Sequence, residues 1–135
     1  MSSLFHVSAR DHSAVILLSA LAKGYEQGGY RTLQDIAREM GLSEGYLEEI
    51  AAFLRKADII VGRQGPSGGY RLAREPKQIS LEDVFDALNG PLELVDCQKG
   101  HCPVESRCTS QGVWKTLRGR LQETLRDLTL AETII

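Results

Sequence analysis

The residues best suited to chemistry lie together in one short segment of this 135-residue chain. Cys97, Cys102 and Cys108 are its only cysteines, and His101 stands directly before the second of them. Thiolates and imidazoles bind zinc and iron–sulfur clusters, and thiols alone can form a redox switch. In a reducing compartment, close cysteines are more often ligands or a switch than a structural disulfide. The segment therefore predicts a metal centre or a thiol sensor.

The overall composition is that of one globular domain. Hydrophobic residues make up 42% and charged residues 25%, so neither a disordered chain nor a disulfide scaffold is expected. The net charge of −2 gives no global basic signature, so any DNA binding must come from local basic groups. No apolar run is long enough to span a membrane, and the N-terminus lacks a signal-peptide pattern. We expect a cytoplasmic protein without a membrane partner.

Two short helices that could position a DNA-reading surface follow an apolar first helix, which Ser8 can cap. Thr32 caps the first of the two, and Gly41 ends it. Ser43 caps the second, which runs to about Lys56. Two short helices joined by a tight glycine-containing turn are typical of a helix-turn-helix. An ordinary helical hairpin in a core fits these two helices equally well.

A predicted β-hairpin comes next in the chain. Ile59–Val61 and Tyr70–Leu72 read as short strands, and the loop between them is rich in glycine, proline and serine. A hairpin directly after a helix-turn-helix is a wing. Glycines let a backbone approach DNA closely, and arginines such as Arg63 suit the negative potential of the minor groove. The combined pattern favours a DNA-binding wing over a plain exposed hairpin.

A long terminal helix is predicted from about Gln111 to Leu128. It carries an apolar stripe that needs a partner, either in its own domain or in the same helix of a second subunit. Palindromic DNA sites favour two-fold dimers, so we expect a homodimer. The members of the stripe are Val113, Trp114, Leu117, Leu121, Leu125 and Leu128.

The predicted fold class is mainly α with a small β-hairpin. A winged helix-turn-helix domain would occupy residues 1–90, a cysteine cluster-binding loop residues 91–111, and a dimerisation helix with a C-terminal turn residues 112–135. A helix that Ser80 caps and Gly90 ends would close the first of these regions.

Four segments of the chain together resemble a known family. They are Gly45–Lys56, Arg63–Leu72, the three-cysteine loop, and the ending from Trp114, which includes Leu128–Glu132. The chain is similar to the winged-helix iron–sulfur regulators typified by IscR, NsrR and RirA, which also include the cluster-free cysteine regulator CymR. The resemblance implies a homodimeric transcription factor with its helix-turn-helix in the major groove and its wing in the minor groove. It also implies that the cysteines hold a 2Fe–2S or 4Fe–4S cluster that sets DNA affinity.

The cysteine pattern departs from this family in its details. The gaps are four and then five residues, where members commonly show five and five. The position of the histidine ligand of IscR-type members is Gln111 here. Members similar to NsrR take an acidic ligand from the first helix of the partner subunit, a position that matches His12, with Asp11 beside it. Our order of preference for the fourth ligand is His12, His101 and then Asp11, since imidazole binds iron readily.

The candidate DNA contacts lie in the second short helix and the wing. In IscR-type members, a glutamate at the position of Glu48 contributes to selecting among DNA motifs, and carboxylates can accept a hydrogen bond from cytosine N4. Ser43 and Tyr46 are candidates for phosphate or base contacts, although Tyr46 could equally serve in packing. The full set is Ser43, Tyr46, Glu48, Arg55, Arg63, Gly65, Ser67, Gly68 and Arg71.

Other functions remain open on the sequence alone. The chain could be a cluster-free winged-helix regulator that uses zinc, a thiol switch or a partner protein. An enzyme with a reactive cysteine is not expected, because no basic neighbours or histidine–acid arrangement would tune a nucleophile. We therefore expect neither catalysis nor a small-molecule substrate, and double-stranded DNA as the principal partner.

Overall fold

The computed structural model describes residues 7–94 and 110–133. The three cysteines and His101 lie outside these ranges. The described part is mainly helical with one two-stranded hairpin, which confirms the predicted fold class of a winged helix-turn-helix with a C-terminal helix. The elements are α1 (Ala9–Lys23), α2 (Leu33–Met40), α3 (Glu44–Lys56), β1 (Ile60–Arg63), β2 (Gly69–Leu72), α4 (Leu81–Asn89) and α5 (Gln111–Asp127), with 3₁₀ turns at Pro76–Gln78 and Leu130–Thr133.

The first four helices begin at the predicted capping residues. At α1 the hydroxyl of Ser8 accepts from the Asp11 backbone N–H at 3.1 Å, and the Asp11 carboxylate accepts from the Ser8 N–H at 3.2 Å. The hydroxyls of Thr32, Ser43 and Ser80 likewise accept from a backbone N–H in the first turn of α2, α3 and α4, and Asp83 completes the reciprocal pair at α4. Each cap satisfies a backbone donor that the helix itself leaves unpaired, so these starts are specified locally.

The turn between α2 and α3 depends on a glycine. Gly41 adopts the left-handed conformation, with φ 70° and ψ 30°, which only glycine adopts without strain. Leu42 N–H then donates to the carbonyl of Ala37 at 2.9 Å, and the chain turns directly into α3. Ile36 of α2 and Leu47 of α3 are fully buried, so the two helices form one packed helix-turn-helix unit.

The hairpin is antiparallel, and its strands differ slightly from the predicted ones. Ile60 pairs with Leu72 at one end, and Arg63 pairs with Gly69 at the other. The first strand therefore begins one residue later and extends further into the loop than the sequence pattern indicated. Backbone pairing extends these strands into positions whose glycines carry no strand signal of their own.

A third segment of backbone joins the hairpin. Arg31, just before α2, exchanges two hydrogen bonds with Tyr70, at 2.9 and 2.7 Å. Gly69 lies against this segment with φ +132°, and a Cβ added there would fall 2.4 Å from the carbonyl oxygen of Arg31. Only glycine fits this approach, so the wing is fixed to the start of the helix-turn-helix.

The helix α5 lies against α4, and the residues that follow it join the core. The Leu81 N–H donates to the carbonyl of Leu128 at 2.8 Å, and Leu130, which is fully buried, donates to the carbonyl of Ile79 at 3.0 Å. Arg126 also forms an ion pair with Glu82. The helix ends at Asp127, one residue before its predicted end.

Candidate nucleic-acid interface and metal centre

The outward side of α3 presents most of its predicted contact residues to solvent. Glu48 and Arg55 are exposed. The Ser43 hydroxyl accepts from the Tyr46 N–H at 3.3 Å, and its own hydrogen remains able to donate to a phosphate. Tyr46 is half-buried and packs against the core, which supports a packing role for its ring. The predicted contact residues thus offer one carboxylate, one guanidinium and one hydroxyl, and Glu44, Glu49 and Lys56 add further exposed charges to the same helix.

The loop of the wing is tightly folded around its glycines. The Gly68 N–H donates to the carbonyl of Gly65 at 2.9 Å, and Gly65 has φ +106°. Gly68 is buried, and a Cβ there would lie 2.1 Å from the carbonyl oxygen of Arg63. Ser67 is exposed beside it, and its carbonyl accepts from the Arg63 guanidinium at 2.7 Å. The predicted wing residues are therefore brought together in one compact loop.

The two arginines of the wing have different surroundings. Arg63 is exposed, and its guanidinium carbon lies 4.1 Å from the ring centroid of Tyr30. Arg71 is half-buried, 5.1 Å from the ring of Tyr25 and 5.8 Å from that of Tyr30. Its Nε is buried and has no hydrogen-bond partner among the described residues. Arg63 is therefore the better placed of the two to reach DNA, and Arg71 braces the base of the wing.

Sequence reasoning did not find Tyr25 and Tyr30. They lie in the turn between α1 and α2, outside any motif, and only their stacking on arginines some 33 or more positions away reveals a role. The only sequence signal for these tyrosines was that two aromatic residues flank a glycine-rich turn. That signal does not show which arginines their rings contact.

The candidate fourth ligands on α1 are not equivalent. Asp11 is 7% exposed, and its carboxylate accepts from both the N–H and the hydroxyl of Ser8 and from the side-chain amide of Asn89, the last at 2.7 Å. These bonds occupy both carboxylate oxygens. His12, the next residue, is exposed. The Asp11 carboxylate is therefore engaged within the chain, whereas His12 lies at the surface.

The remaining predicted ligands all belong to the cysteine segment. Cys97, Cys102, Cys108 and His101 lie outside the described residues. Within residues 7–94 and 110–133, no group of three or more histidines, cysteines, aspartates or glutamates could hold a metal ion. Gln111 begins α5 as a half-buried residue.

Arg10 links the end of α4 to α3. Its guanidinium donates to the carbonyl of Leu88 at 2.6 Å and to the side-chain oxygen of Asn89 at 3.2 Å. The same guanidinium lies 5.0 Å from the ring centroid of Phe53 on α3. Together with the bond between Asp11 and Asn89, this contact holds the start of α1 to the residues that precede the cysteine segment. Sequence reasoning missed it.

An open cleft of about 640 Å³ lies beside these contacts, between the start of α1, the end of α4, and α5. Phe85 and Leu121 line its apolar part, and Glu82 and Asp86 are among its acidic residues. Partial burial raises the pKa of Asp86 above its ordinary value, with the nearby charges of Glu82 and Asp83 adding to the effect. The cleft therefore combines an apolar lining with acidic side chains.

A helix-turn-helix that continues into a glycine-rich wing defines the winged-helix class of DNA-binding fold. The model of the Rrf2 family, described as an iron-dependent transcriptional regulator, matches residues 7–134, and the chain belongs to this family. Its members are transcriptional regulators rather than enzymes, in agreement with the prediction that the chain is not an enzyme.

Named relatives and solved structures agree with this membership. The regulator IscR of Cronobacter sakazakii is 31% identical over 129 residues, 95% of this chain and 79% of that protein. IscR of Vibrio campbellii is 36% identical over 101 residues, 74% of this chain. The chain spans about 60% of the length of that protein.

Two solved structures share the fold. The structure of T. potens IscR has a TM-score of 0.73 at 34% identity, over 94% of this chain and 84% of that one. The structure of CymR, the global cysteine regulator of B. subtilis, has a TM-score of 0.75 at 29% identity, over 94% of both chains. Among residues 7–94 and 110–133, no helix has the length and apolar character needed to cross a membrane.

Proposed function

We propose that this protein is a DNA-binding transcriptional regulator whose operator affinity is controlled by an iron–sulfur cluster, 2Fe–2S or 4Fe–4S. The observation that carries the proposal is the position of the three-cysteine segment in the chain. In the sequence, this segment follows α4 of the winged helix-turn-helix region and ends where α5 begins, at Gln111. The division into a DNA-reading region (1–90), a cluster segment (91–111) and a dimerisation region (112–135) belongs to the same proposal.

In this proposal α3 enters the major groove and the wing reaches the minor groove. Glu48 is exposed on α3 and can accept from cytosine N4, while Arg55 can contact phosphate. Arg63, exposed on the wing, carries the charge that a narrow minor groove attracts. A well-formed side-chain contact to a base is worth about 1–3 kcal/mol of discrimination. The α3 helix carries both acidic and basic side chains, which favours selective over indiscriminate binding.

The cluster would be held by Cys97, Cys102 and Cys108 together with one further residue. A cluster takes four protein ligands, and histidine can replace cysteine. His12 is the first choice because its side chain is exposed, whereas both oxygens of the neighbouring Asp11 are engaged. It would come from the same chain or from the partner subunit. His101 remains the second choice.

The contacts of Arg10 support a route from the cluster to DNA. Asn89 ends α4 just before the cysteine segment, and Arg10 joins it to Phe53 on the recognition helix. Loss of the cluster would release the segment and change the restraint on α3. The restraint is local, so the secondary structure content would hardly change.

A homodimer on a two-fold operator completes the proposal. Val113 on α5 and Leu128, which directly follows this helix, are 62% and 40% exposed in the single chain. A second α5 would cover such apolar surface, and a palindromic site would match the symmetry. The DNA partner also supports the expected cytoplasmic location.

The test of the metal centre is anaerobic purification followed by iron, sulfide and zinc analysis. Wild-type protein is expected to be brown with iron and acid-labile sulfide, and Cys102→Ala to lose both. His12→Ala is expected to lose cluster stability. His6→Ala is the control, because His6 is the one histidine of the sequence that is not among the proposed ligands. A colourless protein with one zinc per chain would contradict the iron–sulfur assignment.

A regulator that works without iron is the second candidate. It would use zinc, a thiol switch or a partner protein. The observation that favours it is the likeness to CymR, a global cysteine regulator whose chain is matched over 94% of its length. Reversible change of DNA affinity with thiol oxidation, in protein that contains no iron, would select this candidate.

A further inference from the structure

The wing is braced by an alternating stack of two tyrosines and two arginines. In order through space the stack is Tyr25, Arg71, Tyr30 and Arg63, with guanidinium-to-ring distances of 5.1, 5.8 and 4.1 Å. These distances are within the range of cation–π attraction. The last member, Arg63, is the exposed one and lies on the wing.

The backbone holds Tyr30 in this position. Its neighbour Arg31 exchanges two hydrogen bonds with Tyr70 of β2, and Gly69 permits the close approach of the two chains. The guanidinium of Arg71, half-buried behind Tyr30, contacts the same ring. The ring is therefore fixed to the base of the wing rather than free on a loop.

Two contacts restrain Arg63 in turn. Its guanidinium packs on the ring of Tyr30 and donates to the carbonyl of Ser67 at the tip of the wing, at 2.7 Å. An unrestrained arginine loses much side-chain freedom when it binds, and an arginine already held loses less. An ordered guanidinium at the wing tip is thus prepared for a narrow minor groove.

We propose that Tyr30 is a positioning residue that orders Arg63 for the minor groove and so strengthens selection of A·T-rich DNA beside the main contacts of α3. The inference rests on the proposed DNA-binding function and adds a determinant of specificity to it. Tyr30 acts through Arg63 and need not touch the DNA. Loss of its ring should weaken binding by between about two- and tenfold, the usual cost of immobilising one side chain.

The experiment uses the full chain and a duplex selected from a randomised library with wild-type protein. Two versions of that duplex carry A·T-rich or G·C-rich flanks where the wing lies, and binding is measured by fluorescence anisotropy. The Tyr30→Leu variant should bind the A·T-rich duplex more weakly than wild-type protein does. Its affinity for the G·C-rich duplex should change little. Tyr30→Phe, which keeps the ring, should behave as wild type.

The control is Arg63→Ala, alone and combined with Tyr30→Leu. If Tyr30 acts through Arg63, adding Tyr30→Leu to Arg63→Ala should cause no further loss. An equal loss in both backgrounds, or a lower melting temperature that accounts for it, would overturn the inference in favour of a structural role. Tighter binding by Tyr30→Leu would also overturn it, since the stack would then hold Arg63 away from DNA.

The same data distinguish this inference from the proposed function. If Glu48→Ala weakens binding but Arg63→Ala does not, DNA recognition by α3 stands, and the roles of the wing and of Tyr30 fail. If wild-type protein enriches no duplex from the library, the proposed function itself fails.

Discussion

The helices α1 and α5 differ sharply in how much of their surface one chain covers. The first has 15 residues, eight of them buried: Asp11, Ser13, Ala14, Leu17, Leu18, Ala20, Leu21 and Ala22. The second has 17 residues, all described, and none is buried. Both carry large apolar side chains, so the difference lies in what surrounds them.

This contrast agrees with the proposed division of the chain into a DNA-reading region and a dimerisation region. The core around α1 is complete within one chain, because α3, α4, the hairpin and the C-terminal turn with its buried Leu130 pack against that helix. The terminal helix packs against α4, and Val113 of its apolar stripe is 62% exposed. An incompletely covered stripe favours a partner, and that partner would be a second α5 in the proposed homodimer.

The largest expected effect is on the free energy of unfolding, from a truncation in the core around α1. Leu17→Ala removes a fully buried side chain and should lower the free energy of unfolding by about 2–5 kcal/mol. Val113→Ala is the matched truncation on α5, where 62% exposure predicts little loss in the monomer. Urea unfolding at low protein concentration checks both variants. Equal losses would contradict the division into a closed core and an open helix.

The next effect concerns the wing. Gly69→Ala would place a Cβ 2.4 Å from the carbonyl oxygen of Arg31 at a φ of +132°, and should cost about 1–3 kcal/mol of stability. Gly29→Ala is the control, since a Cβ at that position meets nothing within 4 Å. Thermal unfolding of both variants is the measurement, and an unaffected Gly69→Ala would show that the wing can separate from the segment before α2.

A smaller effect is expected at the dimer. Val113→Glu places a charge on the stripe and should weaken self-association at least about tenfold, or 1.4 kcal/mol, because a valine is buried in the proposed interface. A glutamate in the first turn of α5 does not oppose the helix dipole, so the helix itself should persist. Lys115→Glu, on the opposite face, is the control. Sedimentation equilibrium measures both, and unchanged association of Val113→Glu would exclude this stripe as the interface.

The smallest effect is a dependence on pH at the acidic cleft. The pKa of Asp86 is raised in the folded protein, so the ionised carboxylate opposes folding. The protonated carboxyl therefore contributes stability that is fully present below the unfolded pKa of 3.8. This stability is lost as the pH rises through the pKa of the folded protein. Asp86→Asn should therefore stabilise the protein at pH 7, by less than about 1 kcal/mol after solvent screening. The difference should vanish below pH 3.8. An Asp86→Asn variant that is less stable than the wild type at pH 7 would contradict the predicted direction of the stability change.

Local features of the fold were predictable from the sequence. The caps at Ser8, Thr32, Ser43 and Ser80 and the end of α2 at Gly41 depend on residues close in the chain, and all five are confirmed. The strand limits shifted by a residue or two because pairing with a neighbouring strand, not local propensity, decides where a strand ends.

Contacts between distant residues were not predictable in the same way. The bond from Arg10 to Leu88 spans 78 positions, and the stack of Arg63 on Tyr30 joins two elements with no shared motif. An arginine or tyrosine at such a position fits many partners, so the sequence pattern does not choose one. The cysteine ligands fall outside the described residues and stay predictions. The choice of His12 over Asp11 became sharper only when the bonds of Asp11 were known.

The most direct test compares the operator affinity of one anaerobic sample before and after removal of its cluster. The proposed coupling predicts a change of about 5- to 150-fold, as is usual for allosteric control, with little change in circular dichroism. The triple variant Cys97→Ala, Cys102→Ala and Cys108→Ala should bind as the cluster-free protein does. Equal affinity in the two states of the wild-type protein would contradict control by an iron–sulfur cluster.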